Sequence, residues 1–181
     1  MDSPREQFEA LAPLFTYPRE NYPEYLDNAM KVCSSTAPAL LDFGGQVPRM
    51  SLDELQELYT STFDLRPVCP LDVGWHLFGD EYDRGLLLSY MRRQLKTHGI
   101  PEAGELPDHL SRALLLLARM NPAKAQEFAG AIIVPALKRM LKCMPARNAF
   151  THLLRATQEL MAIRYPAAFE PTRAIAEGVA S

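Results

Sequence analysis

The sequence predicts an all-α fold, a single irregular bundle of about seven to eight helices. The chain has 181 residues and contains 26 Leu and 22 Ala but only 6 Val and 5 Ile. Leu and Ala favour helices whereas β-branched residues favour strands, so this imbalance argues against a sandwich, a barrel or a parallel sheet. Apolar residues make up 48% of the chain, enough for a hydrophobic core. We therefore expect one domain over residues 1–181, with a tail that frays after about residue 170.

The first helices are predicted from the positions of proline and from a capping motif. Prolines disrupt helix interiors, but most of the 15 prolines fall at predicted helix starts or in connections. The first helix is predicted from Pro4 to about Phe15, and the second from Pro23 to about Leu41. Residues 42–48 contain two consecutive glycines and are predicted to form a loop. Ser51 begins the third helix, because Glu54 completes a capping box.

The second half of the chain follows an irregular apolar connection at residues 65–79. Four long helices are predicted there, from about Glu81 to His98, from Pro107 to about Met120, from Pro122 to about Cys143, and from Pro145 onwards. Gly99 is placed to terminate the first of them. Asn121 is expected to cap the third one, and Pro135 inside it should kink or split that helix.

Charge, cysteines and hydrophobic runs restrict the possible functions. Lys and Arg number 19 against 22 Asp and Glu, for a formal net charge of −3, so nucleic-acid binding is not expected. The three cysteines are far apart, which is typical of a reducing compartment. No signal-peptide pattern is found, and the apolar runs are too short for membrane insertion. We expect a soluble cytoplasmic protein.

The connection before the fourth helix offers a possible metal site or nucleophile pair. His76 and Asp80 are four residues apart, and Cys69 and Asp72 are nearby. Zinc sites usually have clearer Cys and His spacings, and a Cys69–His76 pair lacks a third orienting group. The chain also has no P-loop and no G-x-G-x-x-G motif. We therefore predict no catalytic residue, no metal and no cofactor, and a capping or packing role for His76.

The segment E-L-P-D-H-L at residues 105–110 has the pattern of a helix start. Pro107 suits the first helical position, and Glu105 and Asp108 place negative charge near a helix N-terminus. His109 is then predicted to be a half-buried helical residue.

A second informative segment covers residues 59–85. Arg84 falls in the first turn of the fourth helix, where a cation is slightly unfavourable unless an acidic residue pairs with it. The simplest expectation is an ion pair with one of three neighbours, Asp64, Asp80 or Asp83.

Motifs in the middle of the chain resemble the nitrate reductase delta-subunit family. These are NarJ-type molybdenum cofactor assembly chaperones, related to the TorD/DmsD-type maturation proteins. Five pieces match in order and spacing, T-F-D-L at 62–65, H-L-F-G-D at 76–80, D-R-G at 83–85, Gly99, and E-L-P-D-H-L at 105–110. The match extends over about residues 55–120, a little over a third of the chain.

The resemblance implies an all-α chaperone rather than an enzyme. Such a protein binds the N-terminal segment or leader of the apo catalytic subunit of a molybdopterin oxidoreductase, of the dimethyl sulfoxide reductase family. It assists insertion of the molybdenum cofactor before targeting or export. Apart from the resemblance, we expect a monomer or weak homodimer. Residues 69–75, C-P-L-D-V-G-W, depart from the apolar run expected of nitrate reductase members, so another molybdenum oxidoreductase is a plausible client. The alternatives are a helical interaction scaffold or regulator with no cofactor role, and a small-molecule-binding bundle.

The resemblance also implies a site. It places the family's P-D-H motif at Pro107, Asp108 and His109, and its aromatic connector at residues 71–79. We hypothesise that Trp75, Phe78 and Tyr82 form the floor of a peptide groove. Their alternative role is to close the end of the bundle. Basic residues of the client would then face Asp64, Asp80 and Asp108. The predicted peptide-binding site comprises Asp64, Trp75, Phe78, Asp80, Tyr82, Arg84, Glu105, Pro107, Asp108 and His109.

Overall fold

The protein is a helical bundle, as predicted. Its structure is a computed structural model that describes residues 3–65 and 67–170, so the predicted frayed tail lies outside the described residues. The protein is 72% helical, with no β-strand in the part described. The helices are α1 Pro4–Leu11, α2 Tyr22–Cys33, α3 Ala39–Gln46, α4 Leu52–Tyr59, α5 Val73–Phe78, α6 Tyr82–Thr97, α7 Leu110–Arg119, α8 Pro122–Phe128, α9 Val134–Cys143 and α10 Ala149–Arg164.

The number of helices agrees with the sequence prediction. A π-helical turn joins α8 directly to α9, so the two form one interrupted helix and the described chain has nine, eight of them with at least seven residues. The turn covers Ala129–Ile133 and ends just before Pro135. A proline inside a helix crowds the carbonyl four residues earlier, and a wider turn gives that carbonyl room. The predicted interruption at Pro135 is therefore confirmed.

Helix starts and ends encoded by local motifs are confirmed. The Ser51 hydroxyl accepts a hydrogen bond from the Glu54 N–H (3.2 Å), and the Glu54 carboxylate accepts one from the Ser51 N–H (2.7 Å). Asn121 caps α8 by accepting from the Lys124 N–H at 2.9 Å. Gly99 follows the end of α6 with a φ of 64°, a conformation that glycine adopts without strain.

The predicted long second helix and the loop after it are wrong. The chain leaves the helix after Cys33 and resumes at Ala39, because the residue before Pro38 is disfavoured in a helix. Residues 42–48 are mostly helical, since α3 continues through Gly44. A Cβ atom on Gly44 would lie 2.9 Å from the Met30 sulfur of α2. This glycine therefore lets two helices pack closely and does not form a turn.

Two helices begin later than their prolines predict. Neither Pro107 nor Pro145 is the first helical residue, since α7 begins at Leu110 and α10 at Ala149. Helix α6 has the predicted length, and its expected buried face of Tyr82, Leu86, Tyr90, Met91 and Leu95 is correct at Met91 and Leu95 and wrong at Tyr82 and Leu86. Its buried residues are Leu87, Met91 and Leu95, whereas Tyr82 and Leu86 are exposed.

The core of the bundle lies where α1 packs on α7 and α3 packs on α10. Aromatic rings fill its centre, with Phe63 at 5.1 Å from Tyr59 and at 4.9 Å from Phe150 between ring centroids, both edge-on. Edge-on aromatic pairs add stability beyond the area that they bury. Within the described residues, no helix has the length and hydrophobicity needed to cross a lipid bilayer.

Candidate functional site

The two sequence segments with family motifs lie side by side. The backbone of residues 71–73 runs antiparallel to residues 108–110 and forms an isolated β-bridge. In this pairing the Val73 N–H donates to the Asp108 carbonyl at 2.8 Å. The pairing uses the Asp108 carbonyl and the Leu110 N–H, so the backbone of His109 between them stays extended and α7 starts at Leu110. The start of α5 is thus fixed beside the start of α7.

Arg84 of α6 joins both segments through a partly buried ion-pair network. Its Nε donates to Asp108 Oδ2 at 3.1 Å and its Nη2 donates to Asp72 Oδ2 at 3.2 Å. The Asp108 side chain is fully buried, and that of Arg84 is only 14% exposed. The predicted ion-pair partners are wrong, because the arginine instead uses residues brought close by the fold. These predicted partners were Asp64, Asp80 and Asp83.

Gly74 makes this network possible. A Cβ atom at this position would lie 2.6 Å from Asp108 Oδ2 and 3.1 Å from Leu87 Cδ2. No side chain can be added there without moving the carboxylate or the helix. The glycine is therefore required by close packing of α5 against the network.

His109 is a buried capping residue. It is 5% exposed, and its Nδ1 accepts a hydrogen bond from the Ser111 N–H (3.3 Å). Because Nδ1 acts as an acceptor, the Ser111 hydroxyl at 2.7 Å also donates to it. Nδ1 is then unprotonated and the ring proton is on Nε2, 3.8 Å from a Glu105 carboxylate oxygen. Burial, helped by the positive charge of Arg112, lowers the pKa of His109 to about 4. The predicted half-buried helical residue is instead the neutral N-cap of α7.

Above the paired segments lies a groove of about 440 Å³, which we call the acidic groove. Its lining residues are Phe63, Asp64, Pro67, Pro70, Leu71, Asp72, Trp75, Gly104, Glu105, Leu106 and His109. Trp75 and Leu106 are 43% and 47% exposed. Three carboxylates line the groove, and no described lining residue carries a lysine or arginine side chain. The groove thus combines exposed apolar surface with three carboxylates, of which Asp72 is paired with Arg84.

The three carboxylates of the groove have raised pKa values. Burial, together with the charge of Asp108, raises the pKa of Asp72 to about 6, although the nearby Arg84 opposes the shift. Burial also raises the pKa of Asp64 and of Glu105. A cation that entered the groove would stabilise the ionised forms of these groups.

Four of the predicted site residues line the acidic groove, namely Asp64, Trp75, Glu105 and His109. Three are buried or partly buried and do not line the groove, namely Arg84, Pro107 and Asp108. The remaining three do not line it, namely Phe78, Asp80 and Tyr82. Asp108 exposes no surface, so in this structure its carboxylate does not face a partner.

Sequence reasoning omitted Asp72 and Leu106 from the site. Asp72 stands in the segment that departs from the family pattern, so its role could be inferred only from its ion pair with Arg84. Leu106 lies inside the recognised motif, and its 47% exposure in an otherwise buried segment is a structural property that the motif does not encode.

The proposed alternative chemistry at Cys69 and His76 has no support in the geometry. The His76 Nε2 lies 2.7 Å from the Pro70 carbonyl, to which it donates, and 4.0 Å from the Cys69 sulfur. Burial raises the pKa of the Cys69 thiol to about 12, so the thiol stays protonated near neutral pH. Within residues 3–65 and 67–170, no group of three or more His, Cys, Asp or Glu side chains is arranged to hold a metal ion. His76 has a packing role, bonded to the backbone.

The fold and the groove define a helical bundle with an acidic surface groove, and comparison with known proteins identifies its family. The family model of the nitrate reductase delta subunit matches residues 25–164. The chain therefore belongs to the nitrate reductase delta subunit family, whose members are molybdoenzyme maturation chaperones and not enzymes. No curated protein matches the chain.

A solved structure supports the same fold. The crystal structure of a proposed redox enzyme maturation protein from Archaeoglobus fulgidus superimposes with a TM-score of 0.65. The match covers 89% of this chain and 95% of the other, at 22% sequence identity. At that identity the similarity establishes a shared fold.

Proposed function

We propose that this protein binds the N-terminal segment of the apo catalytic subunit of a molybdopterin oxidoreductase. It would act in the cytoplasm, keeping that subunit competent for cofactor insertion before targeting or export. The observation that supports this most is the acidic groove, because exposed apolar side chains and partly buried carboxylates occur together there. An amphipathic helix with basic residues at its edge has the complementary properties.

Trp75 supplies the main apolar contact in this proposal. Large aromatic side chains at the centre of an interface contribute much of the binding energy. The Arg84 guanidinium carbon lies 5.6 Å from the centroid of the Trp75 ring, within the range of a cation–π interaction. Since Asp72 and Asp108 hold Arg84, the network positions the tryptophan before a partner arrives. Asp108 therefore contributes by positioning the groove and not by contact.

Charge recognition falls to Asp64, Asp72 and Glu105. The Asp72 side chain is 26% exposed and uses one oxygen, Oδ2, for Arg84, so the other oxygen is available to a cation in the groove. Glu105 is on the opposite segment, before α7. Basic residues of the client would thus meet carboxylates from both segments.

The test of this function is to identify the bound partner. The tagged full-length protein, purified from its native cell, should retain a molybdoenzyme catalytic subunit, identified by mass spectrometry. Deletion of that subunit's N-terminal segment should abolish the interaction. If other proteins alone are retained, the result supports the alternative of a helical scaffold or regulator without a cofactor role and contradicts the chaperone function.

The binding of a basic peptide should depend on pH. A cation favours ionised Asp72, whose pKa is about 6 in the free protein, so affinity should be fully present above pH 7 and should decline as pH falls through 6. The raised pKa values of Asp64 and Glu105 act in the same direction. We expect roughly three- to tenfold weaker binding at pH 5 than at pH 7 by calorimetry, for one ion pair of about 1 kcal/mol. His109 stays neutral over most of this range.

The matched control is Asp72→Asn, measured with the same peptide at the same pH values. This variant should lose most of the pH dependence, because the main titrating group of the groove is removed. The dependence that remains comes from the peptide's own ionisation. Equal dependence in both proteins would show that Asp72 does not face the peptide's basic residues.

A further inference from the structure

A second hollow surface, the α4 trough, lies next to the acidic groove. It has a volume of about 470 Å³, and its lining includes Tyr17, Asp53, Gln56, Glu57 and Leu65. Leu65 is 72% exposed and directly follows Asp64, a lining residue of the acidic groove. The trough and the acidic groove therefore adjoin at residues 64 and 65.

The other end of the α4 trough leads to an apolar depression between α2 and α4. This α2–α4 depression has a volume of about 490 Å³. Its lining includes Tyr22, Leu26 and Leu55, which are 1%, 4% and 4% exposed, and the more accessible Leu52. Leu52 and Gln56 also line a shallow pocket that links the depression to the trough. The three features form a succession of hollows along α4.

The charge of these hollows is mainly negative. Asp53 and Glu57 belong to the α4 trough, and Glu20 and Asp27 to the α2–α4 depression, with Arg19 as the basic residue among the described lining. None of the ion pairs in the described part of the chain involves Asp53 or Glu57. Both are exposed and one helical turn apart on α4, so they present two unpaired carboxylates on one face.

The length of the combined surface suits a long peptide segment. Helix α4 has 8 residues and the π-helical turn that follows it has 5. At a rise of about 1.5 Å per residue they extend roughly 18 to 20 Å, the length of three to four helical turns. A peptide helix of three to four turns would therefore extend beyond the acidic groove and lie along α4.

We propose, building on the function proposed above, that the partner's N-terminal segment continues beyond the acidic groove along α4. It would place basic side chains against Asp53 and Glu57 and seat an apolar side chain in the α2–α4 depression. Charge complementarity argues for this occupant. A second copy of this chain, with its net charge of −3, is a poorer fit to a negative surface.

The extension is tested with peptides from the N-terminal segment of the molybdoenzyme subunit that co-purifies with the protein. One peptide covers about four helical turns, and two shorter ones lack about two turns at either end. The D53N/E57Q double variant should bind the long peptide about fivefold more weakly than the wild type at low salt, as expected for two surface ion pairs. It should bind one of the short peptides, the one confined to the acidic groove, with unchanged affinity.

A matched control removes two charges elsewhere. Glu24→Gln with Glu127→Gln neutralises two exposed carboxylates outside the α4 trough and the α2–α4 depression, so it should change the affinity for the long peptide less than twofold. Leu52→Ala should weaken the long peptide selectively, whereas Leu41→Ala, at an exposed leucine of α3, should not.

The possible outcomes separate this inference from the function on which it rests. If wild-type protein binds the long and both short peptides equally, and D53N/E57Q has no effect, the extension along α4 is wrong while the chaperone function stands. If wild-type protein binds none of the peptides, both the proposed binding of the N-terminal segment and its extension along α4 are wrong. Circular dichroism confirms that each variant is folded.

Discussion

Replacing Trp75 with alanine is expected to weaken binding of the partner's N-terminal peptide about 30-fold or more, or about 2 kcal/mol. Trp75 is 43% exposed and lines the acidic groove, so removal of its ring takes away partner contact while sacrificing little core packing. The Arg84 guanidinium carbon lies 5.6 Å from the ring centroid, within the range of a cation–π interaction. Isothermal titration calorimetry measures the loss, and an unchanged melting temperature shows that the fold is intact.

Tyr82→Ala is the control for this prediction. Tyr82 is 79% exposed and does not line the acidic groove, so its replacement should change the peptide affinity less than twofold, the effect usual for a residue outside an interface. A large effect at Tyr82 with none at Trp75 would move the binding surface from the groove to the exposed face of α6. The comparison thus also tests the sequence-based hypothesis that Tyr82 forms part of the groove floor.

Replacing Gly74 with alanine is expected to lower the free energy of unfolding by about 1–3 kcal/mol, the usual cost of forcing a methyl group into a filled space. The new Cβ would lie 2.6 Å from Asp108 Oδ2, so the carboxylate must move away from Arg84. Urea or thermal unfolding measures the loss. The same variant should bind the peptide more weakly, because displacement of Arg84 also releases Trp75.

Gly85→Ala supplies a matched helical control. A Cβ atom at Gly85 meets no neighbour within 4 Å, and alanine is favoured over glycine in a helix interior by up to about 1 kcal/mol. This variant should therefore be as stable as the wild type or more so. A Gly74→Ala protein that unfolds at the same denaturant concentration as Gly85→Ala would show that the packing around Asp108 is looser than the structure indicates.

Features of the fold set by local sequence could be predicted, and those set by packing could not. The all-α class follows from composition, and the helix starts after Ser51 and Asn121 follow from side chains that bond within three residues. The helical α3 could not be predicted from its two glycines, since Gly44 is needed for contact with Met30 of another helix. Pro107 permits a helix start there but does not require one.

The candidate site was predictable in its motifs and not in its chemistry. The resemblance singled out residues 105–110 and Trp75, and of these Trp75, Glu105, Leu106 and His109 line one groove. The ion pair of Arg84 with Asp108 joins residues 24 positions apart, so proximity in sequence favours the wrong acidic partners. The two acidic residues of the motif differ in burial. Asp108 is buried and bonded to Arg84, whereas Glu105 lines the groove.

The β-bridge between Asp72 and His109 also has a kinetic consequence. It closes a loop of more than 30 residues, and long loops are closed late because their chain entropy must be overcome first. A nascent chain that ends before residue 108 cannot form the groove, so competence for binding should arise only when most of the protein has been synthesised. The amide hydrogens of Val73 and Leu110, both bonded across the bridge at 2.8 Å, offer a direct hydrogen-exchange readout of the stability of the bridge.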